Sequence, residues 1–120
     1  MGDKISAWSM VVWKDFLISG HDKNILKWSD FDQNVATFKG HSNAVNCLAT
    51  CGDYLFSGSS DKTIRKWNEE GHCLFTLKHH SGIVTSLIVW NGELYSASHD
   101  NFVACRSMEM HFLPCSQPQN

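Results

Sequence analysis

Proline is nearly absent from this 120-residue chain. Two occur, Pro114 and Pro118, both in the last seven residues. Positions 1–113 therefore hold no residue that removes a ladder donor, which permits paired strands along that whole length. Arginine is as scarce: Arg65 and Arg106 are the only two, too few for a guanidinium cluster that reads phosphates. The formal net charge is -2 with seven histidines neutral. No broad basic field exists to neutralise a nucleic acid backbone, so nucleic acid is not expected as a partner. No apolar run approaches the ~18 residues that cross a bilayer, and the N-terminus has no apolar signal segment. The cytosol or nucleus is expected, without membrane association. Met1-Gly2 with Ser6 fits the N-myristoylation template. Asp3 weighs against that reading, and a solvated start to a strand is the plainer one. The five cysteines are an odd number without a C-x-x-C pair, which argues against a disulfide framework or a zinc knuckle and favours buried free thiols. A Gly-rich phosphate loop, an H-E-x-x-H pair and a G-x-S-x-G elbow are all missing. Catalysis, a cofactor and a metal are not expected, and His72, Cys73, His99 and His111 do not have convergent ligand spacing.

What is present is apolar material and a repeat. Hydrophobic residues make up 42%, with five Trp and seven Phe, enough for a core and against general disorder. Asp22-Lys23-Asn24-Ile25-Leu26-Lys27-Trp28 recurs as Asp61-Lys62-Thr63-Ile64-Arg65-Lys66-Trp67. The same step of 39 residues reaches Asp100, followed by Asn101-Phe102-Val103-Ala104-Cys105-Arg106. Such a fixed period is the mark of a repeat architecture. Within one period, 44–50 reads as a β-compatible strand. Cys51-Gly52-Asp53 is a turn, 54–57 a second strand, Ser60-Asp61-Lys62 a turn, and 63–67 an alternating third strand. Asn68-Glu69-Glu70-Gly71 turns into a fourth strand at 73–77. Four strands with tight turns make one antiparallel meander.

Gly40-His41 followed by Ser57-Gly58-Ser59-Ser60-Asp61-Lys62-Thr63-Ile64-Arg65-Lys66-Trp67 resembles the WD40 repeat family, and the likeness runs over about residues 5–113. The resemblance implies an all-β fold of WD40-type β-propeller blades: three four-stranded antiparallel blades in an open or partial propeller. Repeats of about 1–40, 41–79 and 80–113 are expected, followed by a disordered polar tail at 114–120. The inner strand of the first repeat is expected at 5–12, with a small insertion. The last strand is expected near His111-Phe112-Leu113, stopped by Pro114.

The same resemblance implies a buried polar network in each blade. His41, Ser57, Asp61 and Trp67 form it in the second repeat; His80, Ser96 and Asp100 in the third, where Arg106 stands in place of Trp. Ser19, Asp22 and Trp28 remain in the first, which has no histidine partner. A buried carboxylate needs donors, and His, Ser and the indole N–H supply them. The set recurs from blade to blade, which suits structure rather than a hydrolytic triad. A partner-binding face is expected where the loops gather: His21, Ser60 and His99 before each turn aspartate, with Ser42, Asn43, Ser81 and Gly82 before the inner strands. Trp13 and Trp90 flank turns, either as exposed anchors or as core.

The function expected is a protein–protein interaction scaffold, not an enzyme, and a fragment or truncated form of a longer propeller protein. The alternative is the substrate-recognition arm of a ubiquitin ligase or kinase complex. Three blades leave a ring open, so the partners expected are other proteins, including remaining blades from a longer chain, a second copy, or another WD40 protein.

Overall fold

Alternating apolar positions and two-residue turns fold this chain into three antiparallel sheets, each built from consecutive strands. In the computed structural model, residues 6–30, 33–78 and 80–100 are described, together with the backbone of 103–107. The first sheet runs in the order β1 (Ser9–Trp13), β2 (Phe16–Gly20), β3 (Asn24–Asp30) and β4 (Gln33–Lys39). The second is β5 (Val45–Cys51), β6 (Tyr54–Ser59), β7 (Ile64–Trp67) and β8 (Cys73–Leu77). The third is β9 (Val84–Trp90), β10 (Glu93–Ser98) and β11 (Val103–Ser107). Each sheet is a meander in which neighbours in sequence are neighbours in space. These are propeller blades, and they form an open arc.

The inner strand of the first blade starts at Ser9, later than expected. Pairing begins there because Ser9 sits opposite Gly20 and the Trp8 N–H donates to the Gly20 carbonyl at 2.8 Å. The last expected strand, near residues 111–113, the tail, the Met1-Gly2 motif and the Arg106 side chain lie outside the described residues. The Arg106 backbone pairs with Leu94, just as Trp67 pairs with Leu55 and Trp28 with Leu17. It therefore occupies the tryptophan register.

The three inner hairpins are alike. Trp13 pairs with Phe16, Cys51 with Tyr54 and Trp90 with Glu93, across two-residue turns. The first turn residue has positive φ each time: Lys14 at 56°, Gly52 at 58° and Asn91 at 54°. That conformation matches the twist of paired strands.

Two cores fill the spaces between blades. Trp13, Ile18, Ile25, Phe38, Val45, Leu55 and Trp67 pack between the first and second, with Val11 and Leu48 against them. The Phe38 ring lies 6.4 Å from Trp13, edge-on, and 5.6 Å from Trp67. Cys47, Ala49, Cys51, Phe56, Ile64, Val84 and Leu94 pack between the second and third, with Leu87 and Val89 against them. Among the described residues, only the middle blade is covered on both sides. A Cβ at Gly58 would lie 2.6 Å from both the Cys47 Sγ and Val84 Cγ1, so glycine there sets how closely two blades approach.

The cysteines do not follow one rule. Cys47 and Cys73 carry free thiols, and burial pushes the Cys47 thiol up to about 12. Cys51 is disulfide-bonded, which corrects the expectation of free thiols throughout. No helix long and apolar enough to cross a membrane occurs among the described residues.

Candidate partner-binding face

In the middle blade the sequence pattern converges on one chain of hydrogen bonds. The Trp67 indole can only donate, and it reaches the Ser57 Oγ at 2.8 Å. Ser57 then directs its own hydroxyl proton to His41 Nε2, 2.7 Å away. The remaining imidazole proton must sit on Nδ1, which donates to Asp61 Oδ2 at 2.8 Å. Thr63 and the Ser42 N–H complete the carboxylate's shell, from 2.5 and 3.0 Å. Burial lowers the His41 pKa against the pull of Asp61, keeping the ring neutral. Burial alone would raise the Asp61 carboxyl. Hydrogen bonds from Thr63, Ser42 and His41 outweigh it and hold the group at about 2. Neutral imidazole beside ionised carboxylate is the one assignment that satisfies every member.

The third blade repeats the His–Ser–Asp part of this network. His80 Nδ1 lies 2.9 Å from Asp100 Oδ2, and His80 Nε2 lies 2.7 Å from the Ser96 Oγ. Ser81 N–H donates to Asp100 Oδ2 at 2.9 Å. The indole donor is missing because Arg106 holds that register position.

The first blade corrects the expectation that it lacks a histidine. His21 Nε2 lies 2.7 Å from the Ser19 Oγ, which also accepts the Trp28 indole proton at 2.8 Å. The other His21 nitrogen, Nδ1, sits 2.8 Å from the Ser6 carbonyl and donates to it. A histidine from the β2–β3 loop thus stands where the other blades use one from the loop before the inner strand. Sequence alignment at a constant offset misses it, since it comes from the other side of the blade. Asp22 does not join Ser19 and Trp28; its Oδ1 accepts the Trp8 indole proton at 2.9 Å.

These networks lie beneath a surface of loops. The Val45 N–H donates to the His21 carbonyl, the Ser60 N–H to that of Ala44, and the His99 N–H to that of Ile83. Loops before the inner strands and loops between second and third strands therefore gather at one end of the arc. Ser42, Asn43, Ser81 and His99 are exposed there; Ser60 and Gly82 are half-buried. Several have local work. Asn43 Oδ1 accepts the Ala44 N–H at 2.7 Å, and the Ser60 Oγ accepts the Asn46 amide at 2.9 Å. A Cβ at Gly82 would come 2.9 Å from the Asp100 nitrogen. His21 is half-buried with both ring nitrogens engaged, so it presents less to a partner than the exposed His99.

A cavity of about 430 Å³ opens on this face along β7 and β8 of the second blade, beside the loops that precede β5 and β9. Ser42, Lys62, Thr63, Arg65, Lys78 and Asp61 are among its walls. Three cations stand against one carboxylate that is already saturated by His41, Thr63 and Ser42. Arg65 Nη1 donates to the Cys73 sulfur at 3.3 Å, while its Nε is buried without a partner among the described residues. The sequence placed Lys62 in the turn that borders this cavity. Arg65 and Lys78 went unnoticed, because they reach it from β7 and the end of β8.

The family model described as "WD domain, G-beta repeat" matches residues 32–68 and 71–106. No curated protein matches the chain in sequence. Among solved structures, the RRP9 WD40 repeats are similar at TM-score 0.83 and 29% identity, over 92% of this chain and 38% of that one. U3-55K is similar at TM-score 0.83 and 28% identity, with the same coverage. The WD40 β-propeller domain of Doa1 shares the fold at TM-score 0.78 and 22% identity, over 93% of this chain and 39% of that one. The chain thus spans about two fifths of the length of these propellers.

Proposed function

From a chain that belongs to the WD40 family, whose propellers generally bind other proteins as non-catalytic scaffolds, we propose a protein-interaction scaffold whose binding face is the gathered loop end. The observation that carries this reading is the cavity lined by Lys62, Arg65 and Lys78 of the second blade. It is a cationic site in a molecule of net charge -2. An acidic side chain from a partner fits it. Ser42 lines the site, and Asn43, Ser60, His99, Ser81, Gly82 and His21 belong to the same loop end. The networks of His41, Ser57, Asp61 and Trp67, of His80, Ser96 and Asp100, and of Ser19 and Trp28 hold those loops in place. Their recurrence supports a structural role and no catalysis.

Fluorescence anisotropy with a labelled Glu-rich peptide tests the proposal. Binding should weaken with added salt and be lost in the Lys62→Glu/Lys78→Glu variant. Equal binding by that variant, or binding indifferent to salt, overturns the acidic-partner reading. The substrate-recognition arm of a ligase or kinase complex is a special case of such a scaffold, and no particular residue favours it.

A further inference from the structure

Trp13 and Trp90 occupy the same place in their blades, the last residue of the inner strand before the turn. Trp13 is 3% exposed, and its indole donates to the Gly52 carbonyl in the inner turn of the next blade, at 3.0 Å. The neighbouring Lys14 Nζ reaches Asp53 in that same turn at 2.6 Å and Glu69 at 2.9 Å. One hairpin thus clasps the next. Trp90 is 61% exposed, and Ile88, two residues before it on the same side of β9, is 60% exposed. The alternate residues Leu87 and Val89 are packed into the core shared with the second blade. Ile88 and Trp90 therefore face away from the arc, in the direction a following blade would lie. At the other end, Met10 and Val12 are 55% and 68% exposed on β1, while Val11 and Trp13 point into the core. Met10 and Val12 make up the side that a preceding blade would cover.

We infer that the blade-three face of one copy docks on the blade-one face of a second copy, head to tail, repeating the junction between the first and second blades. The inference rests on the WD40 scaffold reading and extends it to self-assembly. The match is specific. The turn on the receiving side begins with Lys14, whose φ of 56° copies the 58° of Gly52, so its carbonyl is the counterpart of the acceptor Trp13 uses. Asn91 takes the place of Lys14 on the donor side, and Asp15, exposed in the first blade, takes the place of Asp53. An amide donor meets a carboxylate, as an ammonium does in the existing junction. Ile88 and Trp90 meet Met10 and Val12, so both apolar patches are covered at once. The contact is heterologous, and two copies close it into a ring of six blades.

Sedimentation equilibrium over about a hundredfold range of concentration tests this. The native chain should give twice its 13.6 kDa mass. Trp90→Ala weakens self-association about 30-fold or more, and Val12→Lys, on the opposite face, does the same. Each alone should be monomeric. Mixed together they should form a heterodimer, since one intact donor face then finds one intact acceptor face. Both substitutions fall on exposed side chains, and near-UV circular dichroism checks that each blade stays packed. A monomeric native chain, undiminished association of the Trp90 variant, or a mixture that stays monomeric overturns the inference. Glu-rich peptide binding read on the same variants separates this outcome from a failure of the loop-face proposal, which does not use Trp90 or Val12.

Discussion

Ser57→Ala should cost the protein more than the same change at Ser96, and the difference can be worked from the hydrogen bonds. Ser57 is fully buried and serves two partners, accepting from the Trp67 indole at 2.8 Å and donating to His41 Nε2 at 2.7 Å. Alanine leaves both of them unsatisfied beneath a sealed blade. Each orphaned buried group costs about 1–3 kcal/mol, so Ser57→Ala should cost about 2–6 kcal/mol. Ser96 serves His80 at 2.7 Å and has no indole to receive, because Arg106 sits in the tryptophan register. One orphan predicts about 1–3 kcal/mol. Against a total stability of about 5–15 kcal/mol for a domain, the first change is close to unfolding and the second is not. Guanidinium denaturation followed by tryptophan fluorescence measures both, at one fixed protein concentration because assembly adds stability by mass action. The double variant Ser57→Ala/Trp67→Phe should cost less than the sum of its parts, since the indole N–H is then no longer left behind. An equal cost at Ser57 and Ser96, or strict additivity in the double variant, would refute the proton assignment.

Acid should unfold the chain partly through the same network. Asp61 titrates at about 2 when folded against 3.8 unfolded. The unfolded state therefore binds more protons below pH ~4, and about 2 kcal/mol of stability drains away as pH falls toward 2. His41, lowered from 6.5, pulls in the same direction below its unfolded value, and Asp61→Asn should flatten the acid limb of a stability–pH profile. Lys66, 2% exposed with its Nζ 3.8 Å from the centre of the Tyr54 ring, is lowered by burial to about 8. Between pH 8 and 9 the unfolded chain holds the extra proton, so stability should rise with pH across that window in the native chain and not in Lys66→Met; above pH 9 the Cys47 thiol, ionised when unfolded and protonated when buried, opposes the rise. Gly58→Ala should destabilise by about 1–3 kcal/mol, since its methyl would meet Cys47 and Val84 at 2.6 Å; a neutral effect in thermal melts would show that the second and third blades can part. Maleimide labelling with peptide mapping should modify exposed Cys73 long before buried Cys47, whose thiol sits near 12; equal rates would mean that the inter-blade core opens readily.

The strands, their order and the middle network were legible in the chain itself. Turn residues and alternating apolar positions act over a few neighbours. A step of 39 residues brings each aspartate back to the same turn, and the pairing of Ser57, His41, Asp61 and Trp67 follows because all four belong to one complete period. The first blade was not legible in this way. His21 reaches Ser19 from a different loop, and Asp22 is drawn off by Trp8; both depend on where the chain passes in space, which no offset records. The cationic cavity was not legible at a constant offset either, since Arg65 on β7 and Lys78 at the end of β8 meet Lys62 only once those strands pair. Trp13 and Trp90 draw the boundary most sharply. Local sequence puts both at the end of an inner strand, before a residue of positive φ, and says nothing of their burial. Trp13 is sealed because the second blade stands in front of it, and Trp90 is open because no described blade stands in front of the third. Strand and turn are settled by neighbours along the chain, but burial is settled by neighbours across it, and those exist only once the blades have packed.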